Sequence, residues 1–350
     1  MDSRELIFFS IFIIFILSIL LVDLGVFNKK SHVIPLKEAI AWSFVWVMLA
    51  IGFYLLIRTN GELIHGIKNQ DHLTEIVMKY DQPIPQGHTF EENLNIYKDN
   101  LSLEYITGYL IEYALSVDNV FVMVLIFLSF NVAQKYYKRV LFWGILGAII
   151  MRFVFIFISS ALIQNFFWVL YIFGALLVFT GIKMFLSRNK EEKIDSEKHP
   201  IVKFASKYFN VYPKYVRHHF WIKKNGKFFL TPLFIVLLVI EFSDVLFAVD
   251  SVPAIFSITK DPYIVFFSNI FAILGLRSLF FLVMNMMNTF IYLKHGLSIL
   301  LTFIGVKMFI GEWLKEHGFT TSHSLYVVLA ILVVSIAASL FFKPKKIKHD

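Results

Sequence analysis

The chain has 350 residues and no cysteine. A disulfide framework and a thiolate metal site are therefore excluded, and any metal must be held through oxygen or imidazole. Hard or borderline dications such as Mg²⁺, Ca²⁺ or Mn²⁺ suit those donors better than Cu(I) does. Charge is also scarce. Asp, Glu, Lys and Arg make up 17% of the chain against 58% hydrophobic residues, with 40 phenylalanines and a mean hydropathy of +0.70. That balance excludes an ordinary soluble domain and predicts an all-α, polytopic membrane protein. No glycine-rich phosphate loop, serine triad or metallohydrolase motif is visible, so the reading is not that of an enzyme. No cofactor is expected to be bound permanently.

Nine apolar segments are long enough to cross a bilayer, which takes about 20 helical residues. They run over 6–28, 38–58, 104–130, 138–160, 165–186, 229–258, 263–287, 290–311 and 323–342. The first resembles the core of a signal peptide, but it is long for one. Asp23-Leu-Gly-Val-Phe offers no small-residue cleavage site, so it reads as a retained span. The resulting organisation is an N-terminal pair of spans (1–58) and an extracytoplasmic loop (59–103). A three-helix unit (104–186), a basic cytoplasmic loop (187–228), a second three-helix unit (229–311) and a last span with a basic tail (312–350) follow.

The net charge of +8 raises nucleic acid as a partner, but the basic residues sit in particular loops. With the N-terminus outside, nine spans, and some cations near span ends counted with the adjoining loop, 22 of the 33 Lys and Arg fall on the cytoplasmic side, 7 on the external side and 4 within spans. Such asymmetry is a topology signal. It places the N-terminus outside and the C-terminus in the cytoplasm, with the bilayer as the partner and no nucleic acid.

Within the apolar runs one motif occurs twice. Glu112-Tyr-Ala-Leu-Ser-Val-Asp118-Asn119 matches Asp244-Val-Leu-Phe-Ala-Val-Asp250-Ser251. Arg152 then matches Arg277, and Thr180-Gly-Ile-Lys183 matches Ile304-Gly-Val-Lys307. Each copy spans three helices. Three is odd, so the copies are expected in opposite orientations, the inverted repeat that secondary transporters build around a midplane site. Acids in a bilayer are costly and point to function. At about 100° per residue, Glu112 and Asn119 share a helix face and Asp118 lies about 120° away. Asp244, Ser251 and Asp250 repeat the arrangement. Glu241 adds an acid one turn earlier, and Pro253 can break the helix just beyond. The carboxylates with Asn119 and Ser251 would form an oxygen cage for a hard dication. The bland alternative pairs the acids with Arg152, Arg277, Lys183 and Lys307 as structural ion pairs. Lys183 and Lys307 lie near helix ends, where they can snorkel.

Asp23, at the inner end of the first span, is a further relay candidate, while His32 and Glu38 read as a solvated helix end. His65, His72, His88, His218 and His219 lack zinc-like spacing and read as solvated. The aromatics of the basic loop (Tyr208, Tyr212, Tyr215 and Trp221) suit a membrane surface better than nucleic acid.

Several motifs together resemble the TerC family. They are Val22-Asp23-Leu-Gly-Val-Phe27, Leu36-Lys-Glu38-Ala39, Ile111-Glu112, Ser116-Val117-Asp118-Asn119, Arg139 to Ala148, Glu241-Phe-Ser-Asp244 and Ala248-Val-Asp250-Ser251-Val-Pro253-Ala254-Ile255. The resemblance runs from about residue 15 to 342. It implies a bacterial inner-membrane protein of about nine spans. It also implies export of Mn²⁺ as the transported ion, with Ca²⁺ or tellurite-related ion handling as the alternative. A rival reading from another class is a membrane scaffold whose basic loop docks soluble or membrane proteins, the acids being structural. A transporter needs its acids, whereas a scaffold needs its loop.

Overall fold

The computed structural model describes residues 3–23, 35–83, 89–166, 168–187, 200–216, 219–224, 226–286 and 292–341. Helices α1 (Ser3–Asp23) and α2 (Leu36–Asn60) come first, then two short helices, α3 (Glu62–His65) and α4 (Gln70–Tyr80). The first three-helix unit is α5 (Phe90–Ser129), α6 (Tyr137–Asn165) and α7 (Val169–Ser187). Helix α8 (Pro200–Tyr208) and a hairpin of β1 (Trp221–Lys224) and β2 (Lys227–Leu230) precede the second unit. That unit comprises α9 (Pro232–Phe256), α10 (Pro262–Leu274), α11 (Leu276–Met286) and α12 (Leu293–Phe309), and α13 (Gly311–Glu316) and α14 (Thr321–Phe341) end the described chain.

Among the described residues, seven helices are long and apolar enough to cross a membrane: α1, α2, α5, α6, α7, α9 and α14. The pair α10–α11, bent by 43°, makes an eighth if it is one span. The remaining expected segment appears as α12, whose 17 residues reach only about 26 Å, short of a hydrocarbon core of about 30 Å. The break falls in the seventh expected span, at Gly275, and not in the sixth. Pro253 sits in the last turn of an unbroken α9. Its missing N–H leaves the Val249 carbonyl without a helical partner, and the helix stops three residues later at Phe256.

Helix α5 begins at Phe90, well before the apolar segment at 104. Thr89 accepts a hydrogen bond from the backbone of Glu92, and the Glu92 carboxylate answers the Thr89 backbone, forming a capping box. The 40-residue helix spans about 60 Å, twice a bilayer core. Its first half packs with the segment before it. Asp99 accepts from Arg58 at 3.2 Å, and Glu104 accepts from Gln82 at 3.0 Å.

Every residue of α10 is buried, which makes it the central helix. Phe266, Phe267 and Phe271 mesh with Phe9, Phe12 and Phe53 from α1 and α2 and with Phe153 from α6. The outer helices turn the other way. Ile7, Ile11, Phe44, Ile158, Phe179, Val333 and Val334 are exposed, as a lipid-facing perimeter requires. The two units interlock. Helix α6 lies against α9 while α10 lies against α5, and α7 lies against α9 while α12 lies against α5. Helices α7 and α12 cross at Gly174 and Gly305. A Cβ on Gly305 would stand 2.7 Å from the Gly174 carbonyl oxygen and 2.8 Å from the Val178 nitrogen. Small residues let backbones approach in this way.

His65 is fully buried, which corrects the expectation of a solvated loop histidine. Its Nδ1 lies 2.9 Å from Glu5 of α1 and its Nε2 lies 2.8 Å from Asp261, the N-cap of α10. The expectation rested on metal-ligand spacing, whereas these partners are far away in sequence. Both ring nitrogens can donate only in the imidazolium, so a neutral ring leaves one carboxylate without its bond. Burial alone would lower the His65 pKa, but Asp261 and Glu5 more than offset it and raise the pKa to about 9. Tyr80 and Tyr263 face the ring at 5.2 and 5.3 Å. Burial pushes the Tyr80 phenol up, so it stays neutral in this range.

The raised pKa means the clasp contributes full stability below pH 6.5 and loses it as pH rises through about 9. Thermal unfolding in detergent should show His65→Gln as less stable by roughly 3 kcal/mol at pH 6, with the gap closing above pH 9. A constant gap across that range would refute the charged clasp. At the α7–α12 crossing, Gly305→Ala should lower the melting temperature. Gly52→Ala, with nothing within 4 Å of the new methyl, should leave it nearly unchanged.

Candidate ion site between the two helical units

Glu112 sits midway along α5, Arg152 midway along α6 and Asp244 midway along α9. Glu112 and Arg152 are fully buried and Asp244 is nearly so. Arg152 binds Asp244 in a fork, with Nε donating to Oδ2 at 3.3 Å and Nη2 to Oδ1 at 3.1 Å. Its Nη1 donates to the Glu112 carboxylate and, at 2.7 Å, to Oδ1 of Asn269 on α10. The Asn269 amide donates to the other Glu112 oxygen at 3.1 Å, closing the ring. A guanidinium presents five donors in a planar fork and can serve all of these acceptors at once. The two acids occupy matching positions of the two units, so one buried arginine ties the units together.

The other sequence candidates spread along the same helices. Glu241 projects onto α6, where a Cβ on Gly147 would meet the carboxylate at the far end of its flexible side chain, so a larger residue there would make that carboxylate shift. It lies close enough to Asp244 for their charges to interact. Asp250 is half-buried and accepts from Thr180 of α7 at 3.1 Å, with Lys183 within electrostatic reach. Asp118 is half-buried on α5 beside Asn119. The Asn119 Nδ2, Ser251 Oγ and Ser116 Oγ atoms are buried with no hydrogen-bond partner among the described residues. Buried polar atoms are normally satisfied, and unsatisfied ones ask for an explanation such as an ion or water.

Arg277 is buried in the first turn of α11, immediately after the break at Gly275. Lys307 donates to the Ser257 carbonyl at 3.1 Å, capping the end of α9 and not contacting an acid in that bond. Lys183 is exposed. Asp23 ends α1, and His32 lies outside the described residues. Among the described residues, no three His, Cys, Asp or Glu side chains converge as a ready-made metal cage. Glu112 and Asp244 are brought together through Arg152, and Asp250 is engaged separately with Thr180.

Sequence reading missed Asn269. A lone amide in the apolar run Ile264 to Leu274 is a signal of the same kind as a lone acid. It also passed over Gly147, whose role depends on a side chain from the other unit.

Helices with an apolar perimeter and buried ionisable clusters inside the bundle define a multi-pass integral membrane protein. The profile of the integral membrane protein TerC family matches residues 97–347, and the chain belongs to that family. A Myxococcus xanthus protein, Uncharacterized membrane protein STKORF319, is 43% identical over 329 residues, covering 94% of this chain and 90% of its own. The Escherichia coli K12 Putative membrane-bound redox modulator Alx is 39% identical over 313 residues, covering 88% and 86%. A Rickettsia bellii protein, Uncharacterized membrane protein, is 38% identical over 333 residues, covering 95% and 97%. No solved structure matches the chain.

Removing Arg152 strands two buried carboxylates. Arg152→Gln should cost roughly 3–5 kcal/mol, read as lost thermal stability in detergent. Adding Glu112→Gln to that variant should recover part of the loss. If Arg152→Gln and Glu112→Gln simply add, the two side chains are not coupled.

Proposed function

We propose that the protein exports a divalent metal cation, Mn²⁺, across the plasma membrane, using the intramembrane acids at the interface of two inverted units. The observation that supports this most is the meeting of Glu112 and Asp244, equivalent acids of the two units, on one buried Arg152. Exchangeable neighbours around α5 and α9 support a two-fold relation between the units. The bent α10–α11 pair supports a transporter reading too, since broken helices line such sites.

The chemistry follows from competition. A dication binds where carboxylates gather, and Arg152 already neutralises two of them. An entering cation would take over those charges, releasing the arginine and loosening the joint between the units. Asp118 and Asp250, with Asn119 and Ser251 next to them, would supply oxygens along the way. Oxygen donors suit Mn²⁺, and so does the resemblance to TerC proteins. Protons or the membrane potential would drive export. The basic residues support an outside N-terminus and a cytoplasmic C-terminus. The Escherichia coli relative is named for a redox role. With no cysteine here, such a role would run through the ion carried and not through thiols.

Purified protein in proteoliposomes, tested against Mn²⁺, Ca²⁺, Mg²⁺, Zn²⁺ and Fe²⁺, decides the matter. Asp118→Asn and Asp250→Asn should each abolish Mn²⁺ flux with normal insertion, while the exposed Asp71→Asn keeps it. Near-normal flux in both acid variants would rule out the site. Absence of flux for every metal in the intact protein would favour the scaffold.

A further inference from the structure

Between Lys198 and Ile240 the chain has no Asp or Glu, and residues 200–230 carry seven Lys and Arg. The described residues of this segment are bolted to the bundle. Tyr215 donates from its hydroxyl to the Phe130 carbonyl at the end of α5, at 2.6 Å. Arg139, at the start of α6, stacks over Phe220 at 5.0 Å, and Phe220 packs against Phe234 in α9. Thr231 donates to the Phe220 carbonyl and then opens α9. Helix ends of both units thus hold the hairpin at the level where α9 begins its apolar run.

Its outer surface is aromatic. Trp221 is 60% exposed and Phe228 66%, on the same face of the hairpin as Lys223. Helix α8 buries Ala205 and turns Phe204 and Tyr208 outward with Lys203 and Lys207. On the other hairpin face, Lys224 and Lys227 join Tyr212, Pro213 and Phe229 around an open cleft of about 440 Å³. The lysine ammonium groups lie over rings, Lys223 on Phe228 at 5.6 Å and Lys224 on Tyr212 at 5.5 Å.

We propose that α8 and the β1–β2 hairpin form a fixed ledge that docks on the headgroup layer of anionic phospholipids, with lipid phosphates taken by Lys223, Lys224 and Lys227. Exposed Trp and Phe rings at the start of a membrane helix belong in the interfacial layer, where their apolar bodies leave water. The charge is complementary: a stretch of uniform positive sign meets a surface of phosphates. A soluble acidic partner would satisfy the lysines but leave Trp221 and Phe228 in water.

The absence of native cysteine makes the test clean. The full-length protein carries a fluorescent label on Phe228→Cys or, independently, on Ser206→Cys, in nanodiscs of phosphatidylcholine with or without phosphatidylglycerol. Nitroxide-bearing phosphatidylglycerol should quench the label more than nitroxide-bearing phosphatidylcholine. That preference should fall about fivefold for each of Lys223→Gln, Lys224→Gln and Lys227→Gln. Equal quenching by the two lipids, or quenching by neither, would overturn the proposal. Loss of the preference on adding inorganic phosphate at matched ionic strength would reassign the cleft to a free anion. A label that responds to an oligonucleotide but not to phosphatidylglycerol would reassign the face to nucleic acid.

Discussion

The structure is organised around one buried guanidinium. Arg152 lies where α5, α6, α9 and α10 meet, and its donors are shared among Glu112, Asp244 and Asn269. A lone charge at that depth would be prohibitive, and even a paired one is a poor stabiliser compared with packed hydrocarbon. Its presence therefore constrains everything near it. The two acids must stay within reach, Asn269 must point at Glu112, and the two units cannot separate without exposing unmatched charge to a low dielectric. Such a joint trades stability for a connection that another cation can contest.

The rest of the bundle suits that joint. Helix α10 is buried all round, so Asn269 is delivered by a rigid aromatic pillar and not by a mobile loop. At Gly275 the pillar bends, and Arg277 follows two residues on. At the other end of α10 its N-cap, Asp261, is clasped by His65, which also holds Glu5 of the first helix. The helix that supplies Asn269 to the ion pair is thus fixed at its N-terminal end by a second buried charge cluster. The tight glycine crossing of Gly305 on Gly174 removes slack between the units.

Much of the bundle was legible in the chain because apolar runs of bilayer length and a doubled acidic motif are local patterns. Glu112, Asp244 and Arg152 stood out as charges where charge is costly. Their convergence on a single arginine did not, since it depends on how α6 crosses α9, which no spacing encodes. Asn269 was hidden because one amide among apolar residues has no period. His65 was misread for a related reason: its partners lie 60 and 196 residues away. Thr89 and Glu92 carried a readable helix start, but the polar composition of 59–103 masked it in a search for apolar runs. Pro253 announced a break and produced only a helix end, while Gly275, unremarkable in sequence, bends the chain.

Helix α5 has a consequence of its own. Along a single uninterrupted spiral it bonds Gln82 through Glu104 and, about two turns further on, Arg152 through Glu112. Each residue turns the helix by about 100° and advances it by about 1.5 Å. Inserting or deleting one residue between those two positions would put them out of phase, so one set of contacts would face the wrong neighbours. The stretch can change its side chains but not its length. Length variation across related chains should therefore collect in the links between helices, away from α5.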